Sequence, residues 1–487
     1  MPPTTAAASP SGPIPLVVDL DGTLIRTDML HESSVQLFRS SPLATLRLPL
    51  WLREGKAALK RRLAERTRLD ATLLPYNEEF LAWLREQREA GRRLILCTAS
   101  DHQFAHAVAE HCGVFDDVMA SDGVTNLDGE RKAQALVGRF GAGGFDYAGN
   151  ARVDLHVWQH ARQAVVVEAP SAVSARARAE FQVEKEFPPA GRRARTWLRA
   201  LRVHQWLKNL LLFAPLFAAH QIHDLGAWFD LLLAFVAFSL CASSVYVAND
   251  LMDLESDRQH PRKRLRPFAA GTLPVWQGVA VVPVLAAASL AAALPAGGAF
   301  VGWLGVYFGL TWAYSWWLKR VAIVDCLTLA GLYTLRVVAG AAAVGLTLSF
   351  WLLAFSVFLF LSLAFVKRFA ELHMQHSSGQ TRAHGRAYLT TDLPLVQTLG
   401  VVSGYTACVV LALYLNHESV QLLYRAPYLA WGTVPVMVFW VSWMWLRAAR
   451  GQMHDDPLVF AFKDPASIVA GVVFGVFLLL GSVGLSW

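Results

Sequence analysis

Two short segments of the sequence place carboxylates where several of them can act together. The first, Asp19-Leu20-Asp21-Gly22-Thr23-Leu24, follows the apolar run Ile14 to Leu20. Aspartates at positions i and i+2 of a strand normally share one face. Here the strand ends between them, so the second carboxylate can swing toward the same substrate. The segment therefore predicts a site at the end of a strand, with Asp19 and Asp21 facing one substrate.

The second segment, Asn249 to Asp257, ends a long apolar block. On a helix, Asn249, Asp253 and Asp257 are spaced by four residues and Asp250 lies three before Asp253, so all four lie along one stripe. Like charges on one stripe destabilise a helix unless a cation neutralises them. Oxygen ligands of this kind suit Mg²⁺, and ionisable residues beside a membrane span usually serve a function. We therefore predict that Asp250, Asp253 and Asp257 hold Mg²⁺.

A basic, turn-rich loop bracketed by Pro261 and Pro267 follows this segment. Its cations are Arg262, Lys263, Arg264 and Arg266. Such a loop beside a magnesium site is suited to bind a diphosphate leaving group. The general excess of basic residues in cytoplasmic loops would produce the same charges, so both interpretations stay open.

The elements that must hold the first segment follow from the pattern of apolar runs. Up to about Arg202 the chain is charged, and short β-branched runs alternate with helical patterns, as in a doubly wound α/β domain. The basic, helical stretch 29–75 indicates an inserted cap. The predicted strands lie at 14–20, 94–97, 145–149 and 164–167. The predicted organisation is a disordered lead over 1–13, an α/β domain over 14–185, a linker over 186–200 and a membrane domain over 201–487.

The elements around the second segment are membrane spans. Apolar blocks of roughly 18 to 22 residues recur beyond the linker, each long enough to cross a bilayer. Basic residues, including Arg382 and Arg386, concentrate in the loops after spans two, four, six and eight, while the other loops hold almost none beyond Arg425. This asymmetry places the N-terminal domain in the cytoplasm and the C-terminus outside, and it explains the net charge of +7 without a nucleic-acid partner. We predict an all-α bundle of nine spans, centred near residues 213, 240, 286, 310, 334, 357, 405, 437 and 477.

The soluble domain resembles the haloacid dehalogenase-like phosphatases over about residues 14 to 170. The resemblance is carried, in order, by Asp19 to Leu24, Leu96-Cys97-Thr98-Ala99-Ser100, Gly129-Glu130-Arg131-Lys132 and Tyr147 to Asp154. It implies that Asp19 attacks phosphorus to form an aspartyl-phosphate while Asp21 acts as general acid and base. It also implies that Thr98 binds the phosphate, that Lys132 neutralises it, and that Asp19, Asp154 and the backbone carbonyl of Asp21 hold Mg²⁺.

The membrane domain resembles the UbiA superfamily of intramembrane prenyltransferases from about Arg202 onward, because Asn249 to Asp257 has the form NDxxDxxxD. Within that superfamily it is most similar to the decaprenyl-phosphate phosphoribosyltransferase branch. The matching strings are Gln205 to Asn209 with Phe213 to Pro215, Asp257 to Pro267, Tyr314 to Lys319 with Asp325, Leu335-Arg336, Lys367 to Leu372, and Asp456-Pro457 with Lys463 to Pro465. The resemblance implies substrate contacts for Lys208 and Asn249.

The charges after the fourth span favour a donor with an additional phosphate. A prenyltransferase tends to place a second aspartate-rich motif there for its allylic diphosphate. This chain instead offers residues that we assign to substrate binding: Tyr314, Lys319 and Asp325, then Arg336, Lys367 and Arg368. A phosphoribosyl diphosphate needs more cationic partners than an allylic diphosphate does.

The expected reaction is Mg²⁺-dependent transfer of 5-phosphoribose from phosphoribosyl diphosphate to a polyprenyl phosphate in the cytoplasmic membrane. The soluble domain then removes the 5-phosphate, or recycles a related phosphorylated intermediate, in the synthesis of an arabinose donor for envelope glycans. The alternative is a polyprenyltransferase acting on a quinone or haem precursor. A third interpretation makes the soluble domain a regulatory or assembly module. It is favoured by Asn150, since many members of that family carry aspartate there. The oligomeric state is left open, and a homo-oligomer is compatible with every interpretation.

Overall fold

The computed structural model of the chain describes residues 14–189, 193–377, 387–421, 424–453 and 456–483. The predicted lead 1–13, residues 190–192 of the predicted linker, Arg382, Arg386 and the last residues of the C-terminus lie outside these ranges. The chain forms two compact units, described separately below. One unit combines Met1–Leu201 with Tyr246–Val282, and the other combines Arg202–Val245 with Pro283–Trp487.

A six-stranded parallel sheet forms the centre of the first unit, in the order β3-β2-β1-β4-β5-β6. The strands are β1 (Leu16–Val18), β2 (Leu94–Asp101), β3 (Asp117–Ser121), β4 (Asp146–Gly149), β5 (Ala164–Val167) and β6 (Val183–Phe187). Leu16 and Val18 pack into one hydrophobic cluster and Val17 into another, because successive side chains of a strand point to opposite faces. The predicted doubly wound α/β domain is confirmed.

Ten helices accompany the sheet in Met1–Leu201. They are α1 (Met29–Ser40), α2 (Pro42–Thr45), α3 (Leu48–Arg53), α4 (Lys56–Arg66), α5 (Glu78–Glu89), α6 (His102–Cys112), α7 (Gly129–Phe140), α8 (Leu155–Trp158), α9 (Ser171–Glu180) and α10 (Arg193–Ala200). Asp28 caps α1 by accepting hydrogen bonds from the N–H groups of Leu30 and His31. Helices α1 to α4 lie within the stretch predicted as the cap, and α4 ends at Arg66.

The described part of the chain beyond α10 is mainly helical. Its helices are α11 (Ala214–Ala218), α12 (Leu225–Met252), α13 (Leu254–Gln259), α14 (Val275–Ala293), α15 (Gly298–Trp316), α16 (Val324–Ala343), α17 (Phe350–Ser377), α18 (Leu393–Leu415), α19 (Glu418–Gln421), α20 (Pro427–Ala430), α21 (Thr433–Ala449), α22 (Pro457–Ala461) and α23 (Pro465–Val483). In the described residues, seven regions centred on α12, α14, α16, α17, α18, α21 and α23 are long and apolar enough to cross a membrane. This fits a multi-pass membrane protein.

The predicted number of nine spans is not confirmed. Near residue 213 the chain forms a 3₁₀ helix, Val203–Phe213, followed by the short α11. Near residue 310, α15 has 19 residues, but its several glycine, tryptophan and tyrosine residues lower its hydropathy. Both segments therefore differ from the seven candidate spans for a physical reason, one in length and continuity, the other in composition.

Candidate active sites

The first site lies where β1 ends. The N–H of Asp19 donates to the carbonyl of Ala148 on β4, so the aspartate begins the turn that leaves the sheet. Gly22 adopts a φ of +75°, and a Cβ placed on it would lie 2.2 Å from Nδ2 of Asn150. Only glycine fits this turn without displacing the loop after β4. The carboxyl ends of β1 and β4 therefore meet at one site, as expected for neighbouring parallel strands in a doubly wound sheet.

A buried hydrogen-bonded chain starts at Asp19. The ammonium of Lys132 donates to Oδ1 of Asp19 at 2.6 Å and to the hydroxyl of Tyr147 at 3.0 Å, and that hydroxyl donates to Oδ1 of Asp154 at 2.9 Å. Burial raises the pKa of Asp19 to about 6, although Lys132 acts against this rise. Burial lowers the pKa of Lys132, but Asp19, Cys97 and Asp154 together more than compensate, so its pKa is raised. The lysine is thus a fixed positive charge beside the predicted nucleophile.

Asp21 is held by donors from three residues. Its Oδ1 accepts the N–H of Met29 at 2.9 Å, and its Oδ2 accepts the hydroxyls of Ser100 at 2.7 Å and Thr98 at 3.4 Å. Burial, the nearby Asp28 and then Asp19 raise the pKa of Asp21 to about 7. A carboxyl group with this pKa can give and take a proton at neutral pH. The sequence prediction missed Ser100, which lies two residues beyond Thr98.

The residues present fit a divalent cation at this site. Oδ2 of Asp19 has a long contact of 3.5 Å with the Thr23 hydroxyl, so it retains acceptor capacity, and the charge of Asp154 raises the pKa of Asp19. Oδ2 of Asp154 accepts the N–H groups of Asn150 and Ala151, which orients the carboxylate. In the described ranges no group of three or more His, Cys, Asp or Glu side chains gathers as a metal centre. The predicted ligand set needs only two carboxylates and one backbone carbonyl.

The second site lies at the end of α12. The helix ends at Met252 and α13 begins at Leu254, so the predicted uninterrupted helix is broken at Asp253. The N–H of Asp253 still donates to the carbonyl of Asn249 at 2.9 Å, and that of Asp257 donates to the carbonyl of Asp253 at 2.7 Å. The spacing by four residues therefore survives across the break.

Arg266 joins two of the predicted magnesium ligands. Its Nη1 lies 3.2 Å from Oδ1 of Asp250 and 2.6 Å from Oδ2 of Asp257, and both carboxylates are buried. Oδ1 of Asp257 is buried without a hydrogen-bond partner in the described chain, and burial raises the pKa of this carboxyl although Arg266 opposes the shift. An orphaned carboxylate oxygen of this kind fits a cation. The third predicted ligand, Asp253, is half-buried.

The rest of the basic loop faces solvent. Arg262, Lys263 and Arg264 are exposed around a short 3₁₀ helix, Lys263–Leu265, whereas Arg266 is half-buried. The four cations grouped together in the sequence therefore divide into one that contacts the carboxylates and three that are accessible to an anionic ligand.

The second unit contains its own cluster of charges. Oδ2 of Asp456 accepts hydrogen bonds from the ammonium groups of Lys208 at 2.7 Å and Lys367 at 3.2 Å, and from the hydroxyl of Tyr333 at 3.0 Å. Burial would raise the pKa of Asp456, but the two lysines hold it well below its ordinary value. Two ammonium groups therefore meet at one buried carboxylate. Asp456 was not predicted as a site residue, although the Asp456-Pro457 string contains it.

The other predicted cations of this unit are paired within the protein. Nε of Arg336 donates to the side-chain oxygen of Asn209 at 2.8 Å, and its Nη2 donates to the hydroxyl of Tyr307 at 3.0 Å. Arg368 and Asp325 are fully buried and form an ion pair at 2.6 Å. Tyr314 and Lys319 are half-buried near the end of α15. Their roles in substrate binding stay predictions.

Comparison with known proteins assigns both parts of the chain. The model of the UbiA prenyltransferase family matches residues 210–463, and that of the haloacid dehalogenase-like hydrolases matches residues 16–157. The uncharacterized protein y4nM of Sinorhizobium fredii is 40% identical over 94% of this chain and 89% of its own length. The nodulation protein NoeC of Azorhizobium caulinodans is 36% identical over 58% of this chain and 93% of its own. The decaprenyl-phosphate phosphoribosyltransferase of Mycobacterium tuberculosis is 37% identical over 42% of this chain and 70% of its own.

Proposed function

Because the chain belongs to the UbiA prenyltransferase family and carries a haloacid dehalogenase-like domain at its N-terminal end, we propose that it transfers 5-phosphoribose from phosphoribosyl diphosphate to a polyprenyl phosphate. The observation that carries the proposal is the pairing of Asp250 and Asp257 through Arg266, which leaves one buried carboxylate oxygen for a cation. The similarity to the mycobacterial decaprenyl-phosphate phosphoribosyltransferase supports transfer of a phosphoribosyl group to a polyprenyl phosphate.

Each part of the aspartate segment has a role in this reaction. Asp250, Asp253 and Asp257 would hold Mg²⁺, which when bound neutralises charge on the diphosphate leaving group. Arg262, Lys263 and Arg264 lie exposed and would bind and orient that diphosphate. The phosphate of the lipid is already an anion, so it can attack the ribosyl carbon without a strong general base. The carbon–oxygen bond to the diphosphate breaks and the bond to the lipid phosphate forms.

The second unit would bind the remaining phosphate. Lys208 and Lys367 bring two ammonium groups together at Asp456. An anion such as the donor 5-phosphate or the acceptor phosphate would complete this cluster. We assign Lys319 and Arg336 to positioning one of these two groups.

The soluble domain would then remove the 5-phosphate from the lipid product. Asp19 attacks phosphorus and forms an aspartyl-phosphate, and Asp21 protonates the departing ribose oxygen. Asp21 then takes a proton from the water that hydrolyses the intermediate. Lys132 keeps Asp19 in place and offsets the phosphate charge. The dephosphorylated lipid would be a precursor of an arabinose donor for envelope glycans.

The distribution of basic residues among the loops supports a cytoplasmic location for the two proposed reactions. The Asp257–Arg266 loop and the other basic loops predicted from the sequence would lie in the cytoplasm, together with the soluble domain. The chain would span the inner, cytoplasmic membrane with its C-terminus outside. Both substrates and both reactions would then meet on the cytoplasmic face.

The test uses the purified full chain with Mg²⁺. Labelled phosphoribosyl diphosphate and labelled isoprenyl diphosphate are supplied in parallel with a polyprenyl phosphate, and the lipid products are identified by mass spectrometry. The proposal predicts a phosphoribosylated lipid, whereas consumption of isoprenyl diphosphate alone would establish the prenyltransferase alternative. Phosphate release is compared between the wild type and Asp19→Asn. Equal release in the two would remove the phosphatase role and leave the soluble domain as a regulatory module.

A further inference from the structure

We propose that the tip of the cap, residues 38–56, docks on the anionic lipid surface of the membrane that the chain itself spans. The described part of the soluble domain, residues 14–189, leaves seven large apolar side chains exposed. Two of them, Val124 and Val153, are isolated from the rest in the sequence. The other five lie within fifteen residues of chain and include Leu43 at 81% and Leu46 at 76% exposure; the remaining three are Phe38, Leu50 and Leu52. An apolar patch of this kind on a soluble domain indicates an interaction surface.

The cap is a folded element with a core of its own. Trp51 is 2% exposed and packs with Leu37, Leu59 and Leu63. The guanidinium of Arg66 lies 4.9 Å from the Trp51 ring. Helices α2 and α3 therefore pack one face against this core, and the exposed leucines of the tip lie on the solvent-facing side.

The charges of the tip favour lipid headgroups as the partner. The exposed bases are Arg47, Arg53 and Lys56, together with Arg39, which pairs with Glu255; the one acid of the segment, Glu54, pairs with Arg62 of α4. Leucines interleaved with exposed cations are the composition that places an amphipathic segment in the headgroup region of a membrane. Anionic lipids of the cytoplasmic leaflet attract such clusters.

The helix that precedes the tip places it beside a membrane span. On α1, Gln36 and Arg39 contact the carboxylate of Glu255 at 2.9 and 3.1 Å. Glu255 lies three residues beyond Met252, where the candidate span α12 ends. Since α1 ends at Ser40 and the exposed leucines begin at Leu43, the tip starts within one helical turn of a segment that itself emerges from the bilayer.

Docking would present a lipid-borne phosphate to the phosphatase site. A polyprenyl product stays in the membrane, so its ribose 5-phosphate is available only at the headgroup level. A cap inserted there would bring Asp19 to that level without extracting the lipid. This consequence rests on the proposed phosphatase function, whereas the docking itself does not.

The direct test measures the depth of the tip in a membrane. The five native cysteines are buried, so Leu46→Cys or Ala179→Cys in the full chain gives one accessible site for a nitroxide label. Ala179 is an exposed residue of α9 and serves as the control. Both labelled proteins are placed in nanodiscs containing phosphatidylglycerol, and collision rates are measured with oxygen, which partitions into lipid, and with a nickel chelate, which stays in water.

The label at position 46 is expected to collide more with oxygen and less with the nickel chelate than the label at position 179. The same ratio at both positions would overturn the proposal. Low collision rates with both reagents at position 46, with dipolar broadening between labels, would identify a second copy of the chain as the occupant and overturn it as well.

A second measurement follows the consequence for catalysis. Leu43, Leu46, Leu50 and Leu52 are changed together to serine, which alters exposed side chains only. Dephosphorylation of the lipid substrate is expected to fall at least about tenfold, since losing the interfacial burial of even one leucine corresponds to roughly that factor. Turnover of soluble p-nitrophenyl phosphate is expected to stay unchanged. An unchanged lipid rate would overturn the presentation of substrate. If the wild type hydrolyses neither phosphoester, the proposed phosphatase fails, while the label depth still decides the docking.

Discussion

Arg258 donates to Glu32 at 2.6 Å, and both side chains are buried. Glu32 lies one helical turn after Met29, whose N–H binds Asp21, and Arg258 directly follows Asp257. The pair therefore connects the helix beside the proposed phosphatase site to the segment that carries the predicted magnesium ligands of the transferase. Nearby, a Cβ on Gly271 would lie 2.5 Å from Cβ of Arg26, so the chain approaches closely at this glycine too.

Removing one partner of this ion pair should destabilise the first unit. Glu32→Ala leaves a buried arginine without its carboxylate, and the expected loss in the free energy of unfolding is about 3 kcal/mol. Thermal unfolding of the full chain in detergent measures this. Arg39→Ala, which removes an exposed ion pair with Glu255, should cost less than about 1 kcal/mol. The double variant Glu32→Ala/Arg258→Ala should recover part of the loss. Additive losses would show that the two side chains do not stabilise each other.

The phosphatase should have a bell-shaped pH dependence. Asp19 must be ionised to attack, so activity rises with pH through its pKa of about 6. Asp21 must be protonated to release the product, so activity falls as pH rises through its pKa of about 7. The Ser100 hydroxyl donates to the ionised form of Asp21 and lowers its pKa. Ser100→Ala should therefore move the alkaline limb to higher pH.

The control for this shift is Ser121→Ala, which removes another buried hydroxyl, one that donates to the carbonyl of Ala99. The pH–rate profiles of the wild type and of both variants are measured with a soluble phosphoester. An alkaline limb that stays in place, or moves to lower pH, in Ser100→Ala would contradict the assignment of Asp21 as the general acid.

Arg266 should compete with metal for the carboxylates of the transferase. Arg266→Ala leaves Asp250 and Asp257 without their shared cation, so Mn²⁺ should bind more tightly, by about tenfold for the loss of one charge-assisted pair. Titration of Mn²⁺ followed by electron paramagnetic resonance measures the affinity. Arg264→Ala removes an exposed cation of the same loop and should leave the affinity unchanged. Weaker Mn²⁺ binding in Arg266→Ala would show that these carboxylates do not hold the metal.

The lysine pair on Asp456 should bind a substrate phosphate. Lys208→Met removes one of the two cations of the cluster, and KM for one of the two substrates should rise about tenfold or more, the effect of losing one charge-assisted hydrogen bond. A change in the KM of phosphoribosyl diphosphate would identify the donor 5-phosphate as the bound group. A change in the KM of the lipid would identify the acceptor phosphate. Arg450→Met, at an exposed position after α21, is the control. Unchanged KM values for both substrates would exclude the cluster from substrate binding.

Several residues predicted for the site of the α/β domain lie close together because the sequence signals are local. Asp19 follows the buried strand β1 and Thr98 lies in the neighbouring strand β2, and adjacent parallel strands bring such positions together. The hydrogen bonds from Lys132 to Asp19 and Tyr147 join residues far apart in the chain, so no short pattern contains them. The edge strands β3 and β6 were not predicted from the sequence. Strand β6, Val183-Glu184-Lys185-Glu186-Phe187, has charged residues in its centre, as edge strands often do, so it lacks the apolar run of a buried strand.

The membrane domain was less predictable for related reasons. The charge pattern of the basic loop predicts that all four of its cations bind a diphosphate. In the structure Arg266 contacts Asp257 and the other three stay exposed. This difference depends on a tertiary contact, which a local charge pattern does not contain. The cluster around Asp456 joins residues from three distant helical regions. The predicted count of nine spans is not confirmed: at Val203–Phe213, where an apolar block predicts a span, the chain forms a 3₁₀ helix, and the described residues hold seven candidate regions.

The most direct test of the proposed function measures the transfer of label from phosphoribosyl diphosphate to a polyprenyl phosphate by the full chain and by the variant Asp253→Ala/Asp257→Ala. If Mg²⁺ bound by these aspartates is required for transfer, the wild type forms labelled lipid with Mg²⁺, transfer stops when divalent ions are chelated, and transfer resumes when Mg²⁺ is restored. The double variant should form none while still hydrolysing a soluble phosphoester. Labelled lipid formed by the variant, or by the wild type under chelation, would contradict the proposal that these aspartates hold the Mg²⁺ needed for transfer.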